Sequence, residues 1–384
     1  MTLQLLGGLT VPQFLSRHWQ KKPLLVRQAI SGFSGTVQTS EIFRLATRDD
    51  VESRLIRGNG ARRSLVHGPF RASEIRSLPR KHWTILVQGL NLHHEGTEEL
   101  LRRFSFIPYA RLDDVMVSYA APGGGVGPHQ DSYDVFLLQG KGRRLWRIGI
   151  PEKPQFVRNS DLRILSNFRH SDEFTLDAGD MLYLPPGWGH DGIALDECTT
   201  YSMGFRAPAN RELLSEFLSR MSEKVDVKGH YEDPDLIAQK NPAEIPKAML
   251  NRTVRMVSRM RHSHDDIQAF LGEYLSEPKP NILFERPEKP LPRSQFAKLL
   301  HSRTVRSDPR TLMLYSGRRL FVNGESAAMS STLEKSLMKL ANERHLAPGR
   351  HAKELCALLH QWYLAGWLHL QTAKPILPSK GKGR

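Results

Sequence analysis

The feature that most constrains the fold is a series of short apolar or alternating runs between residues 115 and 208. The runs are VMVSYA, DVFLLQ, RRLWRIGI, EFTLDAGDMLYLPPG and TTYSMGFRAP. Runs of this kind are typical of β-strands, and no helical pattern lies between them. Strands that follow one another without helices form an antiparallel sandwich or barrel. Together with two earlier strand candidates, KKPLLVRQ and WTILVQ, they predict a mainly β domain over residues 1–208.

The pattern becomes helical after this domain. Apolar residues in RELLSEFLSRMSEK recur at helical spacing, and a second helical stretch follows it. Near the C-terminus, two strands paired around Gly317 lie among helices, the last of them predicted through AKELCALLHQWYLAGWLHL, and this α+β mixture resembles a winged-helix module. The predicted segments are a helical region at 209–276, a proline-rich linker at 277–292, the winged-helix-like domain at 293–371 and a basic tail at 372–384.

Charge and cysteine content limit the partners and the compartment. The net charge of +15 favours an acidic partner such as ribosomal RNA, an assembling ribosome or DNA, although a generally basic protein is the simpler explanation. Two distant cysteines, Cys198 and Cys356, argue against a disulfide framework and predict a reducing compartment. Neither a signal peptide nor an apolar stretch of about 20 residues is evident. We therefore expect a cytoplasmic protein without a membrane partner.

The candidate metal ligands follow a glycine-rich segment, APGGGVGPHQD. His129 and Asp131 are two positions apart, so on an extended chain both side chains point to one side. His190, which follows the MLYLP strand, can supply a third ligand. Two histidines and one carboxylate leave three positions of an octahedron open, as in non-haem Fe(II) oxygenases. Two open positions can hold a chelating 2-oxo acid, and the third can hold dioxygen.

Zinc is the rival metal, because histidine and carboxylate also suit zinc. A basic residue that binds an oxo-acid carboxylate would favour iron, and Arg144 is the candidate. Strand alternation in RRLWRIGI sends Arg144 and Trp146 to one face and Arg143 and Arg147 to the other. An inward guanidinium can bind a carboxylate through two hydrogen bonds.

The long motifs resemble those of the JmjC-type 2-oxoglutarate oxygenases, and more closely the bacterial ribosomal oxygenases. The segments that carry the resemblance are FLSRHWQKKPLLV, PGGGVGPHQDSYDVFLLQGKGRRLWRIG, LDAGDMLYLPPGWGH and YSMGFRAP. The resemblance covers nearly the whole chain. It implies a double-stranded β-helix of the cupin or jelly-roll type, a homodimer through the helical region, and a C-terminal winged-helix domain. The implied activity is hydroxylation of an arginine in a large-subunit ribosomal protein, with Fe(II), 2-oxoglutarate and dioxygen.

The resemblance also assigns roles to individual residues. It places three residues on the iron ligands: His129, Asp131 and His190. It places Arg144 on the residue that binds the distal carboxylate of 2-oxoglutarate, and Ser118 on a hydroxyl that helps to hold the same co-substrate. The chain departs from the family pattern at Gln130, Trp188 and Gly189.

Strand alternation adds a candidate substrate pocket. Asp114 and Met116 share a face with Ser118, so all three can line one cavity. An acid beside an apolar wall suits an arginine side chain, which has a charged head and an apolar stem. Tyr133 and Ser202 are further candidates for the wall, and ordinary barrel packing is the alternative for all of these residues.

Two other functions stay open at this point. The same oxygenase core serves N-methyl-lysine demethylases. A cupin barrel joined to a winged helix could instead be a DNA-binding regulator. The complete set of iron and oxo-acid residues argues against the regulator.

Overall fold

A computed structural model of the chain describes residues 3–60, 62–158, 160–224, 230 and 245–372. The chain divides into two compact units. The first comprises Met1–Ala207 with Pro280–Leu283, and the second comprises Pro208–Lys279 with Phe284–Arg384. None of the helices in the described ranges is long and apolar enough to span a membrane.

The first unit is built on β-strands. Those in its described residues are β1 (Leu24–Val26), β2 (Ser53–Asn59), β3 (Arg62–His67), β4 (Trp83–Val87), β5 (Leu112–Ala120), β6 (His129–Gln130), β7 (Asp134–Gln139), β8 (Arg144–Gly149), β9 (Asp172–Leu176), β10 (Met181–Leu184), β11 (Gly189–Ala194) and β12 (Cys198–Phe205). They form an eight-stranded sheet in the order β1-β10-β7-β12-β5-β4-β2-β3 and a four-stranded sheet in the order β6-β11-β8-β9. All strand pairs are antiparallel.

The two sheets face each other. Val135 and Leu137 of β7 pack in one apolar cluster with Trp146 and Ile148 of β8. The intervening Phe136 points to the opposite face, where it joins the larger core. Because β7 is buried on both faces, its sequence is a continuous apolar run rather than an alternating one.

Short helices cover the outer face of the large sheet. They are α1 (Val11–Arg17), α2 (Thr39–Leu45), α3 (Ala72–Arg76), α4 (Leu90–His93) and α5 (Glu95–Arg102). A capping box between Thr10 and Gln13 starts α1. Phe14 of α1 then packs against Phe136 and Tyr183, with ring centroids 5.7 and 5.1 Å apart. This face of the sheet is therefore closely packed.

The hairpin of β2 and β3 was not predicted from the sequence. Asn59 is the last residue of β2 and pairs with Arg62, so the two-residue connection begins at Gly60, and a short connection that starts with glycine is a hairpin signal. Many arginines in both strands obscure the alternation. The hairpin matters because β2 lies beside β4 at the end of the sheet that carries the cavity.

The second unit begins with helices α6 (Asn210–Lys224), α7 (Lys247–Val257) and α8 (His264–Ser276). Phe217 of α6 contacts Phe270 of α8, with ring centroids 5.3 Å apart. Part of the predicted helical region, residues 225–229 and 231–244, lies outside the described residues. Residues 277–292, predicted as a linker, contain no helix or strand.

The rest of this unit has its own core. Its elements are α9 (Arg293–Leu299), β13 (Arg303–Ser307), β14 (Met313–Ser316), β15 (Arg319–Val322), β16 (Glu325–Ala328), α10 (Ser331–Glu343), β17 (His345–Leu346), α11 (Lys353–Leu364) and β18 (Leu368–Thr372). The predicted hairpin around Gly317 is β14–β15. The helix predicted through Leu370 was wrong in its last part. Gly366, at φ +80°, ends α11, and β18 pairs with β13. Of the predicted basic tail, 373–384 lies outside the described residues.

Candidate metal and co-substrate site

The three candidate ligands meet between the two sheets. One nitrogen from each of His129 and His190 and one carboxylate oxygen of Asp131 all lie within 4.8 Å of one another. Nε2 of His190 is 3.6 Å from Oδ2 of Asp131. Metal–ligand bonds of about 2.0–2.2 Å place the donor atoms of one ion roughly 3–4 Å apart. The donor set and its spacing therefore fit a single metal ion.

Strand pairing brings the histidines together. His129 lies in β6, and its register partner is His190 in β11. The preceding glycine run passes so close to other backbone that side chains are excluded. A Cβ on Gly125 would lie 2.2 Å from the carbonyl oxygen of Gly192. The glycines therefore allow the backbone to approach other backbone closely beside the site.

Both imidazoles are oriented through Nδ1. Nδ1 of His129 lies 2.8 Å from the carbonyl oxygen of Gly127, and Nδ1 of His190 lies 3.1 Å from that of Trp188. A carbonyl only accepts, so Nδ1 carries the proton and Nε2 offers its lone pair to a metal. Burial, together with the neighbouring His129, lowers the pKa of His190 to about 4. The ring is therefore neutral at physiological pH, as a ligand must be.

Arg144 is buried on the inner face of β8. Its Nη1 donates to Oγ of Ser118 at 3.2 Å. Its Nε and Nη2 are also buried, and neither has a hydrogen-bond partner among the described residues. Unsatisfied buried donors on a charged group are costly. A carboxylate could accept hydrogen bonds from both atoms at once, so the Arg144 guanidinium fits the carboxylate of a bound oxo acid.

The alternation predicted for β8 is observed. Arg144 and Trp146 are buried, whereas Arg143 and Arg147 form ion pairs with Asp196 and Glu173 at the surface. The Trp146 ring lies 5.8 Å from that of His190 and close to the Arg144 guanidinium. Trp146 therefore lies between the guanidinium and the ligand triad. The sequence had placed it on the face of Arg144 but had not indicated its contact with His190.

All nine predicted site residues line one cavity of about 90 Å³, which is several times the space that a single water needs. They are His129, Asp131, His190, Ser118, Arg144, Asp114, Met116, Tyr133 and Ser202. On the predicted substrate side, Asp114 is almost fully buried. Burial, with Asp131 nearby, raises the pKa of Tyr133, so its phenol stays protonated. The cavity thus has a basic end at Arg144 and an acidic, apolar end at Asp114.

Sequence reasoning missed three polar residues of this cavity, Arg54, Gln88 and Asp113. Arg54 lies in the unpredicted hairpin, and Gln88 directly follows β4. The alternation of WTILVQ places Gln88 on the same face as Leu86, which also lines the cavity. That alternation was the available signal for Gln88. It shows which side chains share a face, but only the pairing of β4 with β5 shows that this face lines the cavity.

Comparisons with known proteins cover both units. Residues 99–213 match the JmjC domain, and residues 259–369 match the ROXA-like winged helix. The ribosomal protein uL16 3-hydroxylase of Escherichia coli is 36% identical over 280 residues, which are 73% of this chain and 74% of that protein. The probable ribosomal oxygenase of Haemophilus influenzae is 36% identical over 228 residues, which are 58% of this chain and 54% of that protein.

Solved structures agree with the sequence matches. The X-ray structure of YcfD from Escherichia coli matches with a TM-score of 0.84 and 32% identity, over 94% of this chain and 98% of that chain. YcfD in complex with cobalt and 2-oxoglutarate, described as a ribosomal oxygenase, matches with a TM-score of 0.80 and 31% identity over the same shares. The predicted jelly-roll and winged-helix folds are confirmed. The chain belongs to the JmjC-domain ribosomal oxygenase family.

Proposed function

We propose that the chain is a 2-oxoglutarate- and Fe(II)-dependent hydroxylase that acts on a ribosomal protein. The observation that carries this proposal is one cavity with a His-Asp-His cluster and a buried guanidinium that has two unsatisfied donors. The names of the relatives from Escherichia coli and Haemophilus influenzae support a ribosomal substrate.

Each side chain of the basic end has a defined task in this proposal. His129 and His190 present unprotonated Nε2 atoms, and Asp131 presents a carboxylate oxygen, to one Fe(II). Arg144 and Ser118 bind the distal carboxylate of 2-oxoglutarate, which turns its oxo-acid end towards the triad. When bound, iron with 2-oxoglutarate and dioxygen supplies the oxidant for an unactivated C–H bond. Trp146 and the apolar lining keep water from the reacting atoms.

We further assign the substrate side chain as arginine. Asp114 lies at the far end of the cavity and can pair with a guanidinium, while Met116 and Tyr133 line the path of the methylene stem. Ser202 lies opposite Met116 in the pairing of β12 with β5 and can accept or donate a further hydrogen bond. With its head held at Asp114, an arginine turns its stem towards the triad. Oxidation is therefore expected at an aliphatic carbon.

The co-substrate assignment has a direct optical test. Anaerobic addition of 2-oxoglutarate to the Fe(II)-loaded chain should produce a visible charge-transfer absorption, and His129→Ala should abolish it. The band would also separate an oxygenase from a DNA-binding regulator. Its absence in the wild-type chain, at saturating iron, would refute the metal centre.

The substrate assignment needs a kinetic test. With an arginine-containing peptide of uL16, Asp114→Asn should raise KM while the affinity for 2-oxoglutarate stays normal, because only the far end of the cavity changes. Tandem mass spectrometry then locates the added oxygen. Product oxygen on the guanidinium, or an unchanged KM, would refute this orientation. Loss of a methyl group from a peptide that carries N-methyl-lysine would instead support the demethylase alternative.

Assembly and compartment complete the proposal. The helical region around 209–276 is proposed to form a homodimer, supported by exposed apolar side chains on α7, among them Leu250, Val254 and Val257. The chain is proposed to act in the cytoplasm, where ribosomal substrates are found.

The net charge of +15 supports a contact with ribosomal RNA or an assembling particle. We also propose the domain limits given in the sequence analysis: a catalytic domain at 1–208, a helical region at 209–276, a linker at 277–292, a winged-helix domain at 293–371 and a basic tail at 372–384.

A further inference from the structure

Gln88 connects two charged side chains of the cavity. Its Nε2 donates to both carboxylate oxygens of Asp114, at 2.7 and 2.9 Å, and its Oε1 accepts from Nη2 of Arg54 at 3.0 Å. Asp114 is 4% exposed, whereas Gln88 and Arg54 are both half-buried. The series therefore joins a buried acid to two partly exposed side chains.

The chemistry of the neighbours fixes the orientation of the Gln88 amide. A guanidinium has only donors, so the amide oxygen must face Arg54. An ionised carboxylate has only acceptors, so the amide nitrogen must face Asp114. Rotating the amide by half a turn would break both contacts. Arg54 thus determines which end of Gln88 reaches Asp114.

The sheet explains why these residues meet. Arg54 of β2 is the register partner of Leu86 in β4, and Leu86 is the register partner of Ser118 in β5. Because side chains alternate along a strand, Gln88 shares the face of Leu86, and Asp114 shares the face of Ser118. Three neighbouring strands therefore present the series on the wall that faces the cavity.

Arg54 is itself held in place. Its Nη2 also lies 3.8 Å from Sδ of Met116, and its Nε lies 3.9 Å from Oε1 of Glu52. The Glu52 carboxylate offsets part of the positive charge that Arg54 brings to the cavity. An incoming cation therefore meets less repulsion than the arginine alone would cause.

We propose that Gln88 is the positioning residue for substrate selection: held by Arg54, it fixes the Asp114 carboxylate so that the cavity prefers a guanidinium to its uncharged isostere. This inference rests on the proposed arginine substrate and adds the residues that set its selectivity. An ionised carboxylate has about four acceptor sites, so the Gln88 contact alone does not exhaust Asp114.

Removing the amide changes what Asp114 contacts. In Gln88→Met the side chain keeps a similar length but makes neither polar contact. The opposite charges of Arg54 and Asp114 then attract each other without an amide between them. A substrate guanidinium must compete with Arg54 for the carboxylate, and its advantage over a neutral isostere falls.

The test compares the binding of two peptides. The full chain is loaded with Mn(II) and 2-oxoglutarate, and it is titrated with an arginine-containing uL16 peptide and with the same peptide carrying citrulline. Citrulline keeps the shape of arginine without its charge. Gln88→Met should reduce the preference for the arginine peptide about tenfold or more, since hydrogen bonds to charged groups are strong. Gln155→Met, at an exposed glutamine of the same unit, is the matched control.

The outcomes separate this inference from the proposed function. Preferential binding without hydroxylation by the wild-type chain would refute the function, while a lost preference in Gln88→Met would still support the inference. An unchanged preference in Gln88→Met, with normal 2-oxoglutarate binding, would overturn the inference. If Gln88→Met no longer binds 2-oxoglutarate, Gln88→Asn is measured instead, because its amide is one methylene shorter and cannot contact Arg54 and Asp114 at once. A reduced preference there supports the role of the series, and an unchanged one overturns it.

Discussion

Arg144 is the residue whose replacement isolates the co-substrate contact from the rest of the fold. Arg144→Ala should weaken 2-oxoglutarate binding by roughly 2–5 kcal/mol, because it truncates one member of a buried charge pair. Titration calorimetry with the Mn(II)-loaded chain measures the loss. Arg143→Ala, one residue earlier and facing solvent, should leave the affinity unchanged. Equal affinities in the two variants would mean that Arg144 does not contact the co-substrate.

Local spacing was enough to predict which neighbouring residues point to the same side of the chain. The two-residue spacing of His129 and Asp131, and the alternation that pairs Arg144 with Trp146, can be read directly from the sequence. Gln88 and Arg54 could not be found in this way. They reach Asp114 through the order of β2, β4 and β5, and strand order depends on long-range pairing that one sequence does not display.

At the scale of elements, β7 is joined to its neighbours by Asp134. The side chain is fully buried, accepts from the Tyr183 hydroxyl at 2.6 Å and from Nε2 of Gln20 at 3.0 Å, and forms an ion pair with Arg111 at 3.1 Å. Burial and the Asp134 carboxylate both raise the pKa of Tyr183, which keeps this donor protonated. Asp134 thus joins β7 to β10, to the turn at Gln20 and to the short 3-10 helix that contains Arg111.

Asp134→Ala should therefore lower the free energy of unfolding by about 3–5 kcal/mol, since it leaves buried partners uncompensated. Denaturant unfolding of the full chain measures this change. Asp196→Ala removes an acid of the same unit whose ion pair with Arg143 is exposed, and it should cost about 1 kcal/mol or less. Comparable losses in the two variants would contradict the structural role of Asp134.

Element types were predicted better than element ends and partners. The continuous apolar run of β7, and the other apolar or alternating runs separated by glycines, correctly predicted strands. The β2–β3 hairpin was missed because arginines interrupt its alternation. The C-terminal strand β18 was assigned to a helix because an apolar run of this length fits either structure until Gly366 and the pairing with β13 decide.

For the whole molecule, the apolar side chains on α7 predict a second copy as the partner. Leu250, Val254 and Val257 lie on one face of the helix and are each more than half exposed. A double substitution, Leu250→Glu with Val254→Glu, should shift the mass measured by light scattering from a dimer to a monomer. Asn251→Glu, exposed on the same helix outside this stripe, should not. A wild-type monomer at micromolar concentration would refute the proposed dimer.

The central claim joins both ends of the cavity: iron and 2-oxoglutarate at the triad, and an arginine of a ribosomal protein at Asp114. Mass spectrometry of large-subunit ribosomal proteins tests it most directly, in cells that carry the chain, lack it, or carry its Asp131→Ala variant. One ribosomal protein should gain the mass of one oxygen atom on an aliphatic carbon of arginine, only in cells with the intact chain. Identical ribosomal proteins in all three, or the same gain with Asp131→Ala, would contradict the account.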